Sequence, residues 1–102
     1  MSRRAKIENV LQSIRKCVAD GRYNLTTHAQ QRMAERRINL PEVLHVLKTG
    51  WHERRKDRYD SAHNDWSYAI RSQTVDARSI RVVVAVDPNT DVVVITVVGL
   101  DQ

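Results

Sequence analysis

The chain has 102 residues, 17 of them Lys or Arg against 12 Asp or Glu, giving a formal net charge of +5 and a sequence pI near 9.9. This length suits one domain, residues 1–102, with a single two-layer core, and the positive excess favours polyanions as partners. Cys17 is the lone cysteine, which excludes an intrachain disulfide, a zinc ribbon and a paired-cysteine redox site; no run reads as a secretory signal or a membrane span, so cytoplasmic residence is the expectation.

Ile7, Val10, Leu11, Ile14 and Val18 recur at helical spacing with Arg15, Lys16 and Asp20 between them, and Gly21 stands where a glycine ends a helix. Thr27 followed by Gln30 matches a capping box and starts a second helix, from His28 to about Arg37. On it His28, Arg32 and Arg36 follow one another at i, i+4 and i+8, a ridge along which a phosphodiester can lie, while Ala29, Met33 and Ile38 face inward. Ile38 and Asn39 form a turn. Asn39 with Glu42 repeats the capping signature, Pro41 suits a first helical turn, and Val43, Leu44, Val46 and Leu47 give a third helix its buried stripe up to Gly50.

Two readings are open for Trp51 to Arg58: an edge strand, or a charged mobile loop. Trp66, Tyr68 and Ile70 alternate with Ser67, Ala69 and Arg71, the pattern of a strand with one dry and one wetter face. Ile80 to Val86 and Val92 to Val98 are rich in β-branched residues, as expected of central strands covered on both faces or nearly so, and Asp87-Pro88-Asn89-Thr90-Asp91 joins them as a hairpin. The fold class is therefore α+β, with N-terminal helices packed on a C-terminal antiparallel β-meander. Residues 1–58 carry 14 basic and 6 acidic side chains, whereas residues 59–102 carry 3 and 6, so the positive field belongs to the helical half and its exit.

The string His28-Ala-x-x-Arg32-Met-x-Glu-Arg36-x-Ile38, followed by Glu42-Val-Leu, Gly50, Trp66-Ser-Tyr68-Ala-Ile-Arg71, Val82-Val-Val-Ala-Val-Asp87 and Val94-Ile-Thr96-Val, resembles the family filed as domain of unknown function 4258, from about Asn24 to Val98. That family is similar to the RelE-like and MqsR-like toxin nucleases. Many members carry glycine where this chain reads Ser72, and a different turn is expected there. The resemblance implies a RelE/barnase-like nuclease fold, metal-independent cleavage of messenger RNA, no cofactor, and a cognate antitoxin with an MqsA-type zinc finger.

Cutting RNA without a metal requires a base for the 2′-hydroxyl proton, cations for the charge that builds at phosphorus, and an acid for the leaving 5′-oxygen. The His28 imidazole suits base or acid; Arg32 and Arg71 offer paired donors to phosphate, Tyr68 a phenol and Thr96 a hydroxyl among apolar neighbours. These five are the candidate catalytic residues. Arg36, Arg37, Arg54, Arg55, Lys56 and Arg81 are the candidate RNA contacts, and His45, His52 and His63 lack metal-ligand spacing. Plainer readings stand beside them: His28 bonding local backbone, Arg32 and Arg36 paired with Glu35 or Asp20, Arg71 and Arg81 as solubility charges, Tyr68 as packing, Thr96 as an ordinary strand residue. Two further function classes fit the same features: a nucleic-acid binder without catalysis, and a protein-interaction subunit that recruits its partner by sheet addition.

Overall fold

A computed structural model describes residues 5–74 and 76–100. Three ten-residue helices, α1 (Val10–Ala19), α2 (Thr27–Arg36) and α3 (Leu40–Thr49), combine with six strands, β1 (Tyr23–Leu25), β2 (Trp51–His52), β3 (Arg58–Asp60), β4 (Asp65–Gln73), β5 (Ser79–Val86) and β6 (Val92–Gly99). The class is mixed α+β, and β4, β5 and β6 form the expected antiparallel meander.

The helix ends follow from local chemistry. Helix α1 buries Val10, Ile14, Cys17 and Val18. It closes with Arg22 N–H donating to Cys17 O (2.8 Å) and Gly21 N–H to Val18 O (3.1 Å), the paired bonds of a Schellman motif, with Gly21 left-handed at φ 72°. The cap of α2 is Thr26 and not the Thr27–Gln30 box, because Thr26 keeps an extended backbone that aims its hydroxyl at Ala29 N (3.0 Å). Helix α3 has both arms of its capping box, Asn39 to Glu42 and back.

Strand β1 was not legible in the pattern. Its three residues pair parallel to Val92–Val94, which adds a strand from the helical half to the edge of the meander. The sheet order is β1-β6-β5-β4-β2, and β3 also pairs with β4. Between Trp51 and Arg58 the chain is neither one edge strand nor a loop: β2 pairs with Ile70 and Arg71, β3 with Asp65–Ser67, and a 3-10 turn, Arg54–Lys56, bridges them. Gly50 lets α3 meet β2, since a Cβ there would stand 2.5 Å from Val46 O and 2.6 Å from Arg71 O.

Helices and sheet bury one core. Tyr68, Ile70, Ile80, Val82, Val84, Val86, Val92, Val94 and Val97 meet α1, α3, Ala29 and Ile38 there, with Met33 packed against them. Strands β5 and β6 are thus covered on one face, not two. Arg81, Val83 and Ala85 alternate with the core residues of β5 and remain half-buried on the opposite, open face. Ser72 lies inside β4, paired with Ile80, so the position where the family often has glycine forms no turn in this chain.

Candidate nucleic-acid interface

A one-residue bulge in β6 seats α2. Val83 pairs with Thr96 and Val84 with Val94, so Ile95 is the extra residue, and its carbonyl accepts the Thr26 hydroxyl at 2.9 Å. At the other end of the helix, Arg36 approaches Gly99, whose added Cβ would lie 3.9 Å from the Arg36 side chain. Helix α2 therefore runs beside β6 from Ile95 to Gly99. It occupies the sheet edge that β1 leaves open.

Along that helix His28 and Arg36 are exposed and Arg32 half-buried. Arg32 pairs with Glu35 at 3.0 Å across an exposed i, i+3 step, a contact worth little in water. The His28 imidazole has no hydrogen-bond partner among the described residues. Arg37 follows as a left-handed residue, φ 55°, and the Arg78 guanidinium donates to the carbonyls of Arg36 (2.6 Å) and Arg37 (3.0 Å), tying the helix end to the start of β5. Cations suit a helix C-terminus, so Arg78 also answers the helix dipole.

The open face gathers a second set. Arg71 and Arg81 stand directly opposite each other on β4 and β5. Like charges so placed repel, and Glu53 lies between them: Arg81 Nε donates to it at 2.7 Å and Arg71 Nη1 reaches it at 3.6 Å. The Arg81 hydrogen bond is the main force holding the Glu53 carboxyl below its usual range, against an opposing push from burial and with further help from the charges of Arg81 and Arg71. Arg71 Nε also donates to Ser79 Oγ at 3.2 Å. Thr96, opposite Val83, is half-buried on this same face, and its hydroxyl has no hydrogen-bond partner among the described residues.

Tyr68 does not join these groups. It is 1 % exposed, on the helix side of the sheet, and its phenol oxygen accepts Ile7 N–H at 2.9 Å. Alternation along β4 sends Tyr68 and Arg71 to opposite faces.

Arg54, Arg55 and Lys56 are exposed on the 3-10 turn, at the β2 edge and so across the sheet from α2. Beside them is an arrangement that motif spacing did not reveal. His52 Nε2 lies 2.8 Å from Asp57 Oδ2, Lys6 Nζ reaches the same oxygen at 3.0 Å, and Asp57 Oδ1 accepts Ala69 N–H at 3.0 Å. The Asp57 side chain is fully buried and that of His52 is 13 % exposed. His52 meets Tyr68 edge to face at 5.9 Å and borders a cavity of about 400 Å³ with Lys6 and Arg54. The signal was the His52…Asp57 spacing across a turn, which resembles no metal or triad motif. No group of three His, Cys, Asp or Glu among the described residues is placed to hold a metal ion. No helix among them is long and apolar enough to cross a membrane.

The open sheet face and its two basic edges thus offer cations, a hydroxyl and imidazoles to an extended polyanion. No curated protein and no solved structure matches this chain. The family described as domain of unknown function (DUF4258) matches residues 25–98, from the end of β1 through α2, α3 and nearly all of the sheet. That match covers more than half of the chain, which therefore belongs to the DUF4258 family.

Proposed function

We propose that this chain is a toxin-like endoribonuclease that cuts messenger RNA without a metal ion, and we extend to it the RelE/barnase-like assignment. The observation that carries the reading is the α2 ridge. His28, whose imidazole has no hydrogen-bond partner among the described residues, precedes Arg32 and Arg36 at one-turn intervals on a helix laid beside β6. In the proposed reaction His28 takes the proton of a 2′-hydroxyl, the 2′-oxygen bonds to phosphorus, and the bond to the 5′-oxygen breaks as that oxygen regains a proton. Arg32 neutralises the charge at phosphorus, and the Thr96 hydroxyl and the Arg71–Arg81 pair contact flanking backbone. Tyr68, buried in the core, is left out of the chemistry. An antitoxin of acidic surface, with an MqsA-type zinc finger, would silence the protein by covering the basic ridge.

A second placement of the chemistry is favoured by the buried Asp57, which orients His52 as a carboxylate orients a catalytic imidazole. The deciding experiment incubates messenger RNA with the protein in excess chelator, beside His28→Ala/Arg32→Ala and His52→Ala variants. Discrete cuts ending in 2′,3′-cyclic phosphate, lost in the first variant and kept in the second, are expected. Loss in the His52→Ala variant alone moves the site to the β2 edge. Intact RNA that is nonetheless bound leaves binding without cleavage as the function.

A further inference from the structure

At the β2 edge Trp51 is the large apolar side chain left in solvent among the described residues, 52 % exposed. Exposure of an indole exacts a hydration penalty that packing elsewhere in this fold avoids, for Trp66 is half-buried against the core. Trp51 pairs in register with Arg71, whose guanidinium carbon lies 5.9 Å from the ring centroid. Trp51, Glu53, Arg54, Arg55 and Lys56 line, with His52, a cavity of about 640 Å³. The three cations of the turn have no ion-pair or hydrogen-bonded side-chain partner among the described residues.

An apolar protein surface docked on Trp51 would have to strip water from those three charges, which is costly without counter-charges. Single-stranded nucleic acid satisfies both parts at once, because a base stacks on the indole while its phosphates meet the cations. A duplex keeps its bases stacked on each other and has none to offer. We propose that this cavity is a base-stacking subsite for single-stranded RNA, with Trp51 as the platform and Arg54, Arg55 and Lys56 as phosphate contacts. The inference rests on the RNA reading above and deepens it. From β6 to β2 is three strand steps, about 15 Å, a distance that a short extended oligonucleotide spans across the open face.

The test uses the full chain carrying Trp66→Phe, so that Trp51 is the sole tryptophan emitter. The probes are a 2′-O-methyl oligoadenylate, which has no 2′-hydroxyl to cut, and inorganic polyphosphate of matched charge. Oligoadenylate should quench Trp51 and polyphosphate should not. By anisotropy of the labelled oligonucleotide, Trp51→Leu should weaken binding roughly tenfold and Trp51→Tyr should restore most of it. If the oligonucleotide binds yet Trp51 is unmoved, or polyphosphate quenches equally, or the Leu and Tyr variants bind alike, the stacking subsite is wrong while the RNA reading stands. If the oligonucleotide does not bind the unsubstituted chain, the RNA reading falls and the subsite with it, and Trp51 becomes a contact for a protein partner.

Discussion

His52 Nε2 and Asp57 Oδ2, 2.8 Å apart, join β2 to the far side of the 3-10 turn, and the same carboxylate holds Lys6 and the Ala69 amide. One buried anion thus fixes the N-terminal segment, the basic turn and β4 together. Asp57→Ala orphans the Ala69 N–H and frees Lys6 and His52, and should cost roughly 2–4 kcal/mol. For a chain of this size each kcal/mol lowers Tm by about 4–8 °C. A melt of the variant that overlays wild type would show that the carboxylate does not clamp the turn.

Glu53 gives the fold an acid-sensitive component. Its carboxyl is held below the usual range chiefly by the Arg81 hydrogen bond, so the folded state binds its proton less readily than the unfolded chain. The resulting stability is present above the unfolded carboxylate range, near pH 4.3, and disappears as pH falls through the lower folded value. Glu53→Gln should cost roughly 1–3 kcal/mol at neutral pH, by leaving Arg71 facing Arg81 without their anion. Urea midpoints of both proteins should converge on acidification; a gap independent of pH refutes the assignment.

Tyr68→Phe separates packing from chemistry. The variant loses the bond from Ile7 N–H, at about 1 kcal/mol, and keeps the ring in the core. Its melting temperature should fall by several degrees. RNA cleavage per folded molecule should stay at the wild-type rate, and a large loss there would return Tyr68 to the catalytic set.

Arg37 sits where glycine is favoured, at φ 55° after the last turn of α2. Arg37→Gly should stabilise the fold by about 0.5–1 kcal/mol by relieving the left-handed backbone. If the side chain contacts RNA, the same variant should bind more weakly despite melting higher. Denaturant midpoints and oligonucleotide affinity measured on one preparation show whether the two effects part company.

Helical periodicity made all three helices legible, and the capping box at Asn39 and Glu42 is present in full. Alternation along Trp66–Arg71 placed Tyr68 and Ile70 on the core face, although Ala69 on the opposite face is buried as well. What escaped the sequence was short or relational. Three residues of β1 have no period to detect, and their strand status comes from the partner Val92–Val94. The runs in β5 and β6 suggested cover on two faces because valine suits a half-buried sheet surface as readily as a buried one. In the candidate site, the exposed ridge of α2 was readable from spacing alone, whereas Glu53 between Arg71 and Arg81 depends on register, and Asp57 beneath His52 on a turn that no pattern announces.

Strand β6 lies between β1 and β5, and its bulge supplies the carbonyl that receives Thr26. Helix α2 therefore has no seat until residues 92–99 are in place, although it is encoded some sixty positions earlier. On a ribosome, the His28 ridge would emerge long before it could dock. Maturation of this surface would wait for a distant strand, leaving an interval during synthesis in which a partner could meet the basic helix ahead of the finished fold.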